Sequence, residues 1–568
     1  MPIKDLADRA TAAGEVSALT ETAPLSEQLN ARYDWSSVAL YLIIAALFIN
    51  GLVVLSVRWR TPLVGMHAFR QTQTAITSYW LLKGSPWLAY ETPVLGAPWS
   101  IPFECPLFQL LVAAFVRLTG IPLDSAGRLF SYMFMLLLIY PVRKLALAYG
   151  RENKEVLVFT ILLLAAPVYL YWSTSFLIET FALFFSLAFL AEVDCVARTT
   201  NRAAIVASLV YGMAGALAKI TTFTTCWCLA AVILLYRLRA RLRSHPPQWR
   251  SIFTAAMIMI PPPAIFWIWN CFADAQKANN PVAATPAASM ISTTVQAHLW
   301  NFGNWGEVFS KQMALALVDA CNDTLGNATV LAAAAVLMIL YHLEFDRETR
   351  ALRNTALAAF CLPFLAFTNL YIHHNYYFTE NAIFLIFAIT VMIGRLYSVG
   401  RWPAASSLLL LTVVFQLLRF YGFFAKDITK PYYYELLPIA ERIKSNTSPD
   451  SVVVIYGQEW SPIIPYYSER RALMQPEWVP LPAVIAGLHK VLTPVGGHPV
   501  EAIVRCQSPR DRQLEYTRMF TAFDASFRKQ HIGGCDVYFT RAAARGRWKK
   551  AFLPHASWFD KETQSRSK

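Results

Sequence analysis

Runs of about twenty apolar residues recur along this chain from residue 38 to residue 424, and they decide most of what it can fold into. A run of that length spans a bilayer as a helix, because in lipid every backbone polar group must be bonded within its own segment. The 568 residues are 56% hydrophobic and only 15% charged, with a mean hydropathy of +0.39, too apolar for a soluble globule. The sequence therefore predicts an all-α polytopic membrane protein. Residues 1–36 are polar and mixed in charge, and the first run is long enough to remain as a span, so no cleaved signal peptide is expected.

The net charge of +14 is distributed in a way that argues against nucleic acid. Basic residues gather in alternate loops: Arg143, Lys144, Arg151 and Lys154; Arg198 and Arg202; Arg237 to Arg250; Arg347, Arg350 and Arg353; Arg395 and Arg401. Positive loops stay cytoplasmic, so the bias reports topology. Alternation gives eleven spans, near 38–57, 127–147, 154–172, 177–195, 202–220, 222–238, 251–270, 326–343, 355–371, 379–396 and 402–424. An odd number puts a 1–36 segment in the cytoplasm, a transmembrane region over 37–424, and residues 425–568 outside, with large outside loops at 58–126 and 271–325. Pro106–Leu118 is only about thirteen residues, too short to cross, and reads as a helix lying in the outer interface.

Within residues 425–568 the segment Ser451–Tyr456 has a buried-strand pattern, preceded by a helix pattern at about 434–445 and followed by Gly457. A small α/β domain outside the membrane is expected. Cys506 and Cys535 fall in it, where an oxidising compartment favours a disulfide. Cys195, Cys226, Cys228 and Cys361 lie in or beside apolar runs and read as small hydrophobes.

An ionisable residue forced to mid-bilayer costs about 2.5–3.5 kcal/mol, so its placement is informative. Here such residues gather on the outer face. His67, Arg70 and Glu104 lie in the first loop, Arg128 opens the second span, Glu179 the fourth, Lys219 ends the fifth, and His373-His374-Asn375-Tyr376-Tyr377 joins the ninth to the tenth. Arg70, Arg128, Lys219 and the histidines are suited to hold a lipid-linked phosphate. Glu104 is suited to act as general base toward a hydroxyl. Each residue also has a plain role: cations snorkelling to headgroups, Glu179 salt-bridged within the bundle, tyrosines in an interfacial belt.

Several segments carry a family likeness: Phe103-Glu104-Cys105-Pro106-Leu107-Phe108, Ala126-Gly127-Arg128-Leu129-Phe130-Ser131, Leu217-Ala218-Lys219 and His374-Asn375-Tyr376-Tyr377. In order and placement they resemble motifs of the GT-C superfamily of integral-membrane glycosyltransferases that use polyprenyl-phosphate sugars. The bacterial branch related to protein O-mannosyltransferases and lipid A aminoarabinose transferases is the most similar. The resemblance implies a GT-C-like fold of about eleven transmembrane helices in a bacterial inner membrane. It also implies inverting transfer of a sugar from a polyprenyl-phosphate donor to a periplasmic glycan, lipid or protein acceptor. Donor contacts would be Arg70, Gln71, Arg128, Lys219, His373, His374, Tyr376 and Tyr377, with Glu179 beside them.

One departure matters. The family usually carries an acidic pair just after the first span, and this chain has no acidic residue between Val57 and Tyr90. The base is then Glu104, kept ionised by Arg70, or His67 with Glu104 orienting the acceptor. Without the acidic pair a divalent metal has no tight site, so metal independence is expected. Two other classes fit the composition: a ligase or polymerase using diphosphate-linked donors, and a lipid-linked sugar transporter. The transporter should carry ionisable groups at mid-bilayer, with broken helices in corresponding positions, and the sequence offers only the single Pro261-Pro262-Pro263 break.

Overall fold

In the computed structural model the described residues are 35–199, 201–242, 249–284, 300–342, 344–482, 484 and 493–540. The N-terminal segment 1–34, the end of the C-terminal segment from 541, Arg243 and the middle of the 271–325 loop lie outside them. Each of the eleven apolar runs falls on helix, but the helices are less regular than the runs. Among the described residues seven helices are long and apolar enough to cross a membrane, or eight if one bent pair is a single span. By that measure the expected eleven is not reached, for local reasons. The 154–172 run is split into Asn153–Ala165 and Pro167–Trp172, because Pro167 has no N–H to continue the ladder. Arg202–Ala218 has 17 residues, and Arg347–Ala366 gives its first two turns to Arg347, Glu348, Arg350 and Arg353. The Leu107–Thr119 helix has 13 residues and buries Phe108, Gln109, Val112 and Ala113 on one face.

The reading of 271–325 as loop needs correction. The Pro261–Ala278 helix runs into it, and Lys311–Leu325 is a helix that meets Thr329–Leu340 at 76°. That helix carries Asp319 and Asp323. Asp323 is nonetheless buried, its Oδ1 taking two hydrogen bonds from Arg419 at 3.0 and 2.8 Å. Gly326 makes the bend, at φ 80°, where an added Cβ would lie 2.0 Å from the backbone carbon of Phe415. Only hydrogen fits there. Gly326→Ala is expected to cost about 1–3 kcal/mol through overpacking, read as a lower thermal unfolding midpoint in detergent.

The C-terminal region forms a five-stranded sheet. Its strands are β1 (Val452–Tyr456), β2 (Arg471–Gln475), β3 (Val500–Cys506), β4 (Arg528–Ile532) and β5 (Cys535–Phe539), in the order β2-β1-β3-β5-β4. β1 is wholly buried and pairs in parallel with both neighbours, which is why its sequence is a continuous apolar run. β3 and β5 are antiparallel and set Cys506 opposite Cys535, which are disulfide-bonded.

This sheet is fastened to the first loop. Pro93–Gly96 covers the outer edge of β2 through Ala472 N–H to Pro93 O (2.9 Å), Met474 N–H to Val94 O (2.9 Å) and Gly96 N–H to Ala472 O (3.0 Å). Such cover removes an unpaired edge. Arg471 pairs with Glu91 at 2.9 Å and lies over the Trp80 ring at 4.1 Å. Asn280, fully buried, donates to the carbonyls of Gly96 and Pro98 at 3.0 Å each and accepts from Val282 and Ala283. The first loop is thereby held between the apolar helices and the sheet.

Candidate functional site

The first loop contains a helix, Ala68–Leu82, that is polar in sequence yet mostly buried. Burial is tolerated because its hydroxyls bond back to their own backbone: Thr72 to Ala68 O (2.7 Å), Thr74 to Arg70 O (3.1 Å), Ser78 to Thr74 O (3.1 Å). His67 precedes it in the left-handed region, at φ 49° and ψ 37°. Such a conformation in a non-glycine residue needs surrounding structure to hold it.

Opposite the helix start lies Phe103-Glu104-Cys105, pinned through its backbone. Tyr90 OH accepts from Phe103 N–H (2.7 Å) and donates to Glu104 O (2.9 Å), Trp269 donates to Phe103 O (2.8 Å), and Cys105 N–H reaches Leu217 O (3.1 Å). The Glu104 side chain is thus presented to Arg70, whose Nη2 donates to Oε1 at 3.1 Å. Gln109 donates to the same oxygen at 3.2 Å. Oε2 receives neither bond. Arg70 also donates to Gln73 at 2.7 Å, so two of its five N–H donors are engaged in these two bonds. Both members of the pair keep some exposure, 16% for Arg70 and 14% for Glu104.

Behind this pair is a buried charge cluster. Lys219 sits in an extended break between the Arg202–Ala218 and Ile220–Leu242 helices and reaches two carboxylates, Glu179 at 3.0 Å and Glu380 at 2.6 Å. Helix ends explain the arrangement. Glu179 opens the Glu179–Thr199 helix, Glu380 is in the first turn of Phe378–Ser398, and Lys219 follows a helix C-terminus. Each carboxylate therefore meets the favourable end of a helix dipole, while Lys219 stands between a C-terminus and an N-terminus. Lys219 also lies 3.8 Å from the Tyr377 ring centroid and 5.3 Å from that of Tyr376. One oxygen each of Glu179 and Glu380 is buried with no hydrogen-bond partner among the described residues.

His67 joins the two groups. Its Nε2 is 3.0 Å from Asn375 Oδ1, an acceptor, so that nitrogen carries the proton. Its ring is 5.5 Å from His374 and 4.9 Å from Tyr376. His67 also lines a cavity of about 540 Å³, together with Asp319, Asp323, Arg419, Tyr371, His373 and Asn375. His373 stacks on Trp300, with ring centroids 6.0 Å apart and an interplanar angle of 4°. Burial lowers the pKa of His67 from its ordinary value, and burial beside His67, His373, Lys219 and Arg70 drives that of His374 down to about 3. Both imidazoles are neutral at pH 7. Since the unfolded chain takes up the His374 proton near pH 6.5 and the folded one does not, the unfolded state binds more protons below that pH. Stability is then full above about pH 6.5 and declines as pH falls toward 3. The thermal midpoint should drop between pH 7 and pH 5, and His374→Gln should flatten that slope.

Not all the expected donor contacts meet. Arg128 is buried away from these contacts, its Nη2 3.5 Å from Pro62 O, and Asp124 lies one turn earlier on the same helix. Asp124 in turn accepts from Tyr466 and Tyr467 of the C-terminal region. Gln71, also buried, bonds Met66 O at 2.9 Å rather than facing Arg70. Arg70, Lys219, His67, His374, Tyr376, Tyr377, Glu104 and Glu179 do come together. Glu380, Tyr90, Trp269 and Gln109 complete the site and were not foreseen, and Asn375, quoted only as part of its motif, bonds His67. The cluster holds one more carboxylate than cation. Among the described residues no group of three His, Cys, Asp or Glu side chains is arranged to hold a metal ion.

No protein-family model and no curated protein matches this sequence. Solved structures do. ArnT from Cupriavidus metallidurans bound to undecaprenyl phosphate is 14% identical, with a TM-score of 0.59, over 88% of this chain and 98% of that one. The apo state of the same protein gives a TM-score of 0.56 at 14% identity, over 90% and 99%. At that identity the likeness is one of fold. The chain therefore has the fold seen in ArnT.

Proposed function

We propose that this chain is a glycosyltransferase that moves a sugar from a polyprenyl-phosphate carrier to a hydroxyl of a cell-envelope acceptor, on the periplasmic side of a bacterial inner membrane. One observation carries the reading. Arg70 and Glu104 face each other at a partly open site, with N–H donors on the cation and Oε2 on the carboxylate left over from their mutual contact. ArnT, which has the same fold, binds undecaprenyl phosphate, and Arg70 is the charged donor here best suited to such a phosphate. Lys219 is already shared by two carboxylates and Arg128 lies elsewhere.

In the proposed reaction the acceptor oxygen attacks the anomeric carbon and its proton passes to Glu104 Oε2. The bond from that carbon to the phosphate oxygen breaks, and polyprenyl phosphate leaves with the electron pair. Arg70 stabilises the negative charge growing on the departing phosphate, which is where a fixed donor has most effect. Direct displacement inverts the anomeric centre. His67 is the second candidate base, favoured by its contact with both the cluster and the cavity.

The test uses purified protein in lipid nanodiscs with an undecaprenyl-phosphate sugar, following release of free undecaprenyl phosphate. Release that depends on Glu104 supports the assignment, and wild-type turnover in Glu104→Gln removes Glu104 as base in favour of His67. No acidic pair occupies the loop, so the reading also expects EDTA to leave turnover unchanged, and its abolition by EDTA would contradict that.

A further inference from the structure

The carboxyl ends of the parallel strands β1 and β2 carry features that the transfer chemistry does not use. In open α/β sheets this edge is the usual place for a ligand. The turn after β1 begins with Gly457, at φ 79°, where a Cβ would lie 2.5 Å from Cys506 O, and continues through Glu459, a non-glycine residue at φ 48°. Held strain of that kind gathers at binding sites. Trp460 follows. Its ring stacks on Phe103 (5.7 Å, 26°) and meets Phe69 edge-on (4.7 Å), and these two residues immediately precede Glu104 and Arg70. No other described aromatic ring packs on Trp460.

The turn after β2 presents Glu477 and Trp478. It is fixed from beneath by Arg510, which is buried and donates to the carbonyls of Pro476, Glu477 and Val479. Ser461 Oγ and Trp478 Nε1 are buried with no partner among the described residues. Buried polar atoms without partners are uncommon and ask for an explanation. A half-buried tryptophan, two carboxylates and two unused polar atoms in one place match a sugar. The ring takes its C–H face, while the carboxylates accept from its hydroxyls.

We propose that this edge is a carbohydrate-binding subsite, with Trp460 as its platform, that seats a glycan acceptor against the Arg70–Glu104 pair. The acceptor role rests on the glycosyl-transfer reading above, whereas the binding itself does not. Saturation-transfer NMR on the full-length protein in detergent tests it, with maltotriose, chitotriose and mannotriose as probes. At least one probe should receive saturation on its C–H protons. The signal should fall about tenfold in Trp460→Ala and be largely kept in Trp460→Phe, which retains a ring. No transfer to any of the three, or equal transfer to Trp460→Ala, overturns the proposal. Should Trp460→Ala fail to fold, Glu459→Gln, an exposed position, decides by the same readout with an expected fall of about fivefold. Normal sugar binding in a protein that turns over no lipid donor would remove the transfer reading and leave the subsite standing. Donor turnover without sugar binding would do the reverse.

Discussion

Lys219→Met is expected to destabilise the folded chain by about 3–5 kcal/mol, the cost of leaving buried charge without its partner. The magnitude follows from what stays behind. Glu179 and Glu380 are 1% and 3% exposed, each already has one oxygen without a hydrogen-bond partner among the described residues, and Lys219 is the shared countercharge between them. Without it two buried carboxylates confront each other with no countercharge between them. Glu380→Gln alone should cost much less, because Lys219 then keeps Glu179 as a one-to-one pair. Combined with Lys219→Met it should recover part of the loss, with a coupling of about 0.5–3 kcal/mol between the two positions. Thermal unfolding in detergent, followed through the four corners of that cycle, measures this. Additive effects would mean that the three groups do not act as one electrostatic unit.

That cluster also marks the boundary of what the sequence could tell. The apolar runs, the short Leu107–Thr119 helix and the β1 strand were legible because each is a local pattern in hydropathy and length. Lys219 and Glu179 were legible because an ionisable group at a span end is costly in lipid. Glu380 was not singled out: a carboxylate in the first turn of a helix reads as ordinary dipole complementation. The available signal was one of charge balance, since a lysine buried at a span end demands carboxylates. Arg128 is not among the residues brought together. Its helix, Leu123–Leu137, falls in the expected span, but which side of it faces the loop depends on packing, here against Pro62, which no periodicity fixes. The Lys311–Leu325 helix carries Asp319 and Asp323, whose charge looks like solvent until Arg419 is placed beside Asp323. The weld between the first loop and the β2 edge joins segments far apart in the chain through backbone bonds, which leave no mark in side-chain pattern.

Arg70→Ala is expected to lower kcat for release of undecaprenyl phosphate by about a hundred- to a thousandfold, the usual effect of removing one donor aimed at developing charge. The fold should survive. Arg70 and Glu104 are both partly exposed, Gln109 still donates to the carboxylate, and the backbone bonds that fix Phe103 to Cys105 do not involve the guanidinium. The loss should appear in kcat more than in KM, since the donor's phosphate gains charge only as the glycosidic bond breaks. Arg70→Lys separates charge from geometry. An ammonium restores a point charge but not a fork that can hold Glu104 and a phosphate oxygen together, so its turnover should fall between wild type and Arg70→Ala. Glu104→Gln should lose turnover too, and the Arg70→Ala/Glu104→Gln double variant should be little worse than the poorer single one, because groups that act as a unit are not additive. Wild-type kcat in Arg70→Ala would move the phosphate away from this pair and toward the cavity that His67 shares with Asp323 and Arg419, where Arg419 is the remaining cation.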